Sequence, residues 1–298
     1  MRSFLLSTSF FTLASAVCHH GTHLWAREEA AAEKPKFGYT GEKGPVVWHT
    51  LSEDWAKCAT GKYQSPINIV PGADYLETVK GDDLRLELQE WPYGAELENL
   101  GTTIEVKNAE GSIYRDGKEY SLLQFHFHTT SEHTFEDEAY ALEAHFVFQA
   151  DGMYLSINYG PFLLLPWTPL ATNSSSHTDK SLSVVGIPIQ VADTKNIPSA
   201  FMTGVLETAD RIPHQDDHTH TFPLLSKEIT EHVAKSDVYQ YAGSLTTPPC
   251  TEGVAWNVVK EPLYVMPSSY RKAKDVMKFN ARYTQSAPGT ENLIAIAQ

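Results

Sequence analysis

"LLQFHFHTTSEH", residues Leu122 to His133, sets three imidazoles, an amide and a carboxylate within a dozen residues of strand-like pattern. Successive side chains of an extended chain alternate faces, so Gln124, His126 and His128 share one face while Phe125 and Phe127 take the other. The phenylalanines suit a core, which leaves the two histidines on a face of their own. Further on, "LEAHFVF" repeats the arrangement, with Glu143, His145 and Val147 on one side and Leu142, Ala144 and Phe146 opposite. If the two strands pair antiparallel across the intervening loop, His126, His128 and His145 converge.

Three neutral imidazole nitrogens at about 2.0–2.1 Å suit Zn²⁺ and leave its fourth tetrahedral position to water, the pattern of a catalytic zinc site. A structural zinc would require a fourth protein ligand, usually cysteine. Gln124 and Glu143 each precede a histidine by two residues on the same face, where each can accept the outer imidazole N–H and fix the tautomer. Three histidines filling a core are the alternative, which the spacing disfavours.

A second histidine-rich stretch, "HQDDHTH" with His214, His218 and His220, lacks strand alternation and reads as a solvated surface loop. The pattern His126-x-His128-x3-Glu132 also matches the first metal motif of cupins, which hold iron or manganese. Where that motif requires a glycine this chain has Ala139, and no Pro-x-Gly-x-x-His follows.

Around these segments the chain alternates in short runs such as "GTTIEVKN", "SLSVVGIPIQVA" and "GVAWNVVKEPLYV", broken by Gly, Pro, Asn and Asp. That pattern predicts a sheet-rich domain. Short helices are expected near "PSAFMTGVLETAD" and "SSYRKAKDVMKFNARY". The 298 residues are 42% hydrophobic, enough for one large core, and a formal charge of −14 argues against nucleic-acid or anionic-membrane partners.

Arg2, the apolar run "FLLSTSFFTLASAV" and Ala14-Ser15-Ala16 have the layout of a cleaved secretory signal over 1–17, followed by a flexible lead-in over 18–36. The protein is therefore expected in a secreted, cell-wall or periplasmic space. Cys58 and Cys250 then remain for the mature chain and most simply pair, two buried free thiols being the alternative. From Met153 to Thr178 no Asp, Glu, Lys or Arg occurs, although 20% of the chain is charged. Pro161, Pro166 and Pro169, with Asn158 and Tyr159, argue against a helical membrane span there. The stretch reads as an irregular insertion at about 153–180, either an unstructured excursion or translated intron sequence, carrying the Asn173-Ser174-Ser175 glycosylation sequon.

The blocks "FGYTGEKGPVVW", "QSPINI", "FHFHTTSEHT", "LEAHFVF", "LSVVGI", "YAGSLTTPPCTEGVAW" and "NARYTQ" together resemble an α-class carbonic anhydrase from Phe37 to about Gln285. The resemblance implies a single mainly β (α+β) domain over 37–298 on a large, mostly antiparallel twisted central sheet with short peripheral helices, and reversible hydration of CO2 to bicarbonate by zinc-bound hydroxide at the base of a cone-shaped cleft. It makes His126, His128 and His145 the zinc ligands and Cys58–Cys250 the disulfide of exported members. Thr246 would accept the hydroxide proton and donate its own to Glu132, and its N–H would hold a bicarbonate oxygen. Gln124, Glu143 and the Asn280 carbonyl would orient the ligands, with His133 a buried partner of Glu143 and Tyr241. Val147, Val184, Leu245, Val254 and Trp256 would receive CO2, while Tyr39, Glu105 and Thr247 line the wet side.

Inhibition by sulfonamides and anions is implied as well. Thr102 falls where the fastest members carry a proton-shuttling histidine, and threonine does not titrate near neutral pH. A catalytically silent binding module of the same family is the alternative, against which all three histidines, Thr246 and Glu132 are in place.

Overall fold

The computed structural model describes residues 37–150 and 182–297. The signal segment 1–17, the lead-in 18–36 and the insertion at about 153–180 with its sequon lie outside the described residues. Nine strands form the spine of one large sheet: β1 (Glu77–Lys80), β2 (Glu96–Asn99), β3 (Ile104–Lys107), β4 (Lys118–His128), β5 (Leu142–Ala150), β6 (Leu182–Val191), β7 (His218–His220), β8 (Asp237–Ser244) and β9 (Glu252–Val259). Their spatial order is β7-β2-β3-β4-β5-β6-β9-β8-β1, and three short strands beside this path bring the sheet to twelve among the described residues. Along the spine every neighbouring pair is antiparallel except β6 with β9.

The β4–β5 ladder aligns His145 with His126 and Glu143 with His128. Between Val147 and Phe148 the register shifts, so that Val147 faces Gln124 and Phe148 faces Leu122. This bulge at Leu123 switches the alternation of β4. Tyr120 and Leu122 before it and Phe125 and Phe127 after it all enter one core, while Gln124, His126 and His128 turn to the opposite face.

That core joins Phe125, Phe127, Phe146, Phe148, Val185 and Ile187 to the helices α1 (Ala200–Leu206), α2 (Lys227–Lys235) and α3 (Pro267–Met277). Each buried phenylalanine contributes on the order of 1.5–3 kcal/mol by leaving water. Ser199 caps α1 by accepting from the Met202 N–H at 3.0 Å, and Pro267 starts α3 where its missing N–H costs nothing. The two expected helices form as shorter elements, and α2 is an addition. Its buried residues are Ile229 and Val233 alone, too sparse a stripe to read from the sequence.

The opposite side of the sheet carries a second cluster with Val147, Val184, Leu245, Val254 and Trp256. A third unites Phe37, Tyr39, Trp48 and Trp55 around the disulfide Cys58–Cys250, whose Cα atoms stand 5.1 Å apart. No helix among the described residues is long and apolar enough to cross a membrane.

Candidate metal centre

The sheet register brings His126, His128 and His145 together, buried, with one ligand atom from each within 4.8 Å of the others. Their ring centroids lie 5.1, 5.4 and 4.5 Å apart. One nitrogen of each ring faces an acceptor. Gln124 Oε1 lies 2.9 Å from His126 Nδ1, the Asn280 carbonyl oxygen 2.8 Å from His128 Nδ1, and Glu143 Oε1 2.9 Å from His145 Nε2. An acceptor at these positions makes the facing nitrogen the N–H, so His126 Nε2, His128 Nε2 and His145 Nδ1 keep their lone pairs. Three neutral nitrogen donors converging at one point fit a divalent zinc ion.

Glu143 is the most heavily used side chain of the site. Its Oε1 also accepts from His133 Nδ1 at 2.7 Å, and its Oε2 accepts from the Glu132 and His133 backbone N–H groups, both at 2.9 Å. Burial alone would raise this carboxyl, but the electrostatic attraction and hydrogen bonds of the His133 and His145 rings prevail and hold it well below its usual 4.5. His133 Nε2 continues to the Tyr241 hydroxyl at 2.7 Å, and that oxygen lies 2.8 Å from Ser65 Oγ. Burial pushes the Tyr241 phenol far above 10, so it stays neutral and bridges the two.

Glu132 is buried with its carboxylate against the triad, and Oε1 accepts from the Arg282 N–H at 2.8 Å. Burial pushes its carboxyl up to about 7, against the His145 ring and the hydrogen bonds from Arg282 and the Thr246 side chain. A divalent ion at the triad favours the ionised form and acts in the opposite direction. Thr246, 6% exposed, sits on the turn that links β8 to Cys250, where the Cys250 N–H donates to the Thr247 carbonyl.

Asn280 ties several parts of the wall together. Besides its carbonyl on His128, its Oδ1 accepts from the Thr129 N–H at 2.6 Å and its Nδ2 donates to the Thr102 and Phe127 carbonyls. Thr102 and Glu105 are buried in this wall, Glu105 opposite His126 in the ladder of β3 with β4. Val147, Val184, Leu245, Val254 and Trp256 lie in one apolar cluster, with the Trp256 ring 4.9 Å from that of His145. Tyr39 and Glu132 line a cavity of about 320 Å³ with Val46, Thr130, Phe279 and Arg282.

Sequence reasoning missed Arg282, which is 1% exposed. Its guanidinium donates to Gln64 Oε1, the Ser65 carbonyl and the Cys58 carbonyl, and burial lowers it to about 10. It links the disulfide to the carboxylate beside the triad, and its place two residues after Asn280 was the available signal. The "HQDDHTH" stretch also differs from expectation, since His218–His220 forms an edge strand paired with β2. Among the described residues it is not one of the groups whose ligand atoms converge.

A mixed β-sheet carrying three buried histidines, each with its outer nitrogen facing an acceptor, defines a protein with a three-imidazole site able to hold a metal ion. The eukaryotic-type carbonic anhydrase profile matches residues 43–293, and the chain belongs to that family. A carbonic anhydrase of Neisseria gonorrhoeae is 32% identical over 259 residues, covering 86% of this chain and 80% of its own. The fungal α carbonic anhydrase of Aspergillus oryzae superposes with a TM-score of 0.73 at 38% identity, covering 88% of this chain and 98% of that one. The α carbonic anhydrase of Thermovibrio ammonificans, solved with the inhibitor sulfanilamide, gives 0.62 at 29% identity over 86% and 97%.

Proposed function

We propose that this protein catalyses the reversible hydration of carbon dioxide to bicarbonate and a proton, at one zinc ion held by His126, His128 and His145. The observation that supports the reading is the acceptor facing the outer nitrogen of each ring, which turns the three inner lone pairs toward one another. Zinc supplies, when bound, a Lewis acid that lets a water ionise near neutral pH.

The chain's own residues do the rest. Gln124, Glu143 and Asn280 orient the rings, so that no reorganisation accompanies reaction. Thr246, by donating its hydroxyl proton to Glu132, turns its oxygen lone pair toward the reacting site and selects a nucleophile that can donate to it. The Thr246 N–H would then hold a bicarbonate oxygen. Val147, Val184, Leu245, Val254 and Trp256 offer an apolar wall to CO2, and Tyr39, Glu105 and Thr247 line the polar side. Thr102 does not titrate near neutral pH and so cannot take up and release the proton, which makes proton departure limit turnover.

The disulfide supports an oxidising, exported location, and the N-terminal signal layout agrees with it. Sulfonamides are expected to compete at the same ion. Stopped-flow CO2 hydration on zinc-replete protein, with and without a sulfonamide, tests the reading. Inactive protein with one zinc per chain would favour a silent binding module, and iron or manganese in place of zinc would overturn the metal assignment.

A further inference from the structure

The ladders of the sheet align more than the triad. His145 lies opposite His126, His126 opposite Glu105, Glu105 opposite Glu98, and Glu98 opposite His218. Directly opposed residues project to one face, so these five side chains form a single row across β5, β4, β3, β2 and β7. The intervening residues Leu97, Val106 and Phe125 take the other face and fill the core. Along the row exposure rises outward: His126 and Glu105 are buried, the Glu98 side chain is 17% exposed, and His218 is exposed. Three strand spacings of about 4.8 Å separate His126 from His218, roughly 14 Å in all.

We propose that Glu98 and His218 carry the proton released at the triad to bulk solvent, in place of a histidine at position 102. This inference rests on the hydration reading. Each CO2 hydrated with one water yields one bicarbonate and one proton, and that proton must reach a buffer base. Neighbouring members of the row stand about one strand spacing apart, a gap that a single bridging water spans. His218 is the outermost member and meets solvent directly.

The charged and titratable groups facing His218 are known. Glu98 is opposite it, and Lys107 Nζ holds Glu98 Oε2 at 2.8 Å and Glu96 Oε1 at 3.1 Å. Glu96 pairs with His220 in the adjacent row, and His214, Asp216 and Asp217 lie on the preceding loop. Lys107 orders both carboxylates, and Glu98 is placed to receive a proton from the interior and to hand it to the imidazole opposite.

The test compares zinc-loaded wild type, H218A, E98Q and, as control, H214A, in dilute buffer and in high imidazole. We expect H218A and E98Q to lose several-fold in turnover in dilute buffer with KM unchanged, both to return to the wild-type rate in imidazole, and H214A to match wild type throughout. In a measurement independent of activity, cobalt(II) in the triad should relax the NMR signals of the His218 ring at a distance of roughly 14 Å, three strand spacings. Undiminished turnover of H218A in dilute buffer, a deficit that imidazole does not restore, or a His218 ring beyond about 20 Å from cobalt, well outside those three spacings, would overturn the relay while leaving the hydration reading intact. Wild type inactive in both buffers overturns the hydration reading and the relay with it.

Discussion

The Glu143 carboxylate grips the backbone that carries Glu132: its Oε2 accepts the Glu132 N–H at 2.9 Å while its Oε1 lies 2.9 Å from His145 Nε2. One side chain therefore sets the orientation of a ring of the histidine triad and the position of the carboxylate beside Thr246. Glu143→Gln removes the charge and one acceptor oxygen while keeping the shape. Zinc affinity should fall roughly 10–100-fold, the usual cost of losing such a partner, as read by competition with a chelator. Unchanged affinity would show that His145 needs no anionic neighbour.

The same residue gives the protein an acid-side signature. Glu143 has its folded pKa held well below 4.5, so it contributes stability that is present above about 4.5 and lost as pH falls toward the folded value. Denaturant unfolding of metal-free protein across acid pH should show this loss, and Glu143→Gln should flatten it. An equally steep acid limb in the variant would place the titrating group elsewhere.

Gly186 stands opposite His145, and a Cβ there would come within 2.9 Å of Glu143 Oε1. Gly186→Ala forces the carboxylate away from both rings. A stability loss of about 1–3 kcal/mol by denaturant unfolding is expected, together with weaker zinc binding. Wild-type values for both would mean that the strands part without disturbing Glu143.

Thr246→Val keeps the volume of the side chain and removes its hydroxyl. Hydration turnover should fall on the order of 10²-fold with zinc content unchanged, the scale of losing one preorganised hydrogen-bonding group at a reacting centre. Retained turnover would remove Thr246 and Glu132 from the chemistry.

Thr102→His installs a group that titrates near neutral pH in the cleft wall. Turnover in dilute buffer should rise, and the benefit of added imidazole should shrink. If the rate in dilute buffer stays where it was, proton departure is not the slow step.

The histidine face was legible because its spacing is local: alternation within β4 and β5 sets which side chains share a side, and antiparallel pairing makes them meet. The bulge at Leu123 was not, since a single extra residue leaves no mark on composition yet switches the faces of Tyr120 and Leu122 relative to Phe125. Arg282 and the His218 edge strand escaped for another reason. The partners of Arg282, on Gln64, Ser65 and Cys58, are more than 200 residues distant in the chain, and β7 becomes a strand only because β2 offers it an edge. Asn280 came from the resemblance alone, because a backbone carbonyl has no side-chain signature.

Zinc-edge X-ray absorption on the purified protein addresses the central claim most directly. The account predicts one zinc per chain bound by three imidazole nitrogens and one light solvent atom, at about 2.0–2.1 Å, with no sulfur. A fourth imidazole, a sulfur neighbour, or a spectrum that survives removal of His145 unchanged would contradict it.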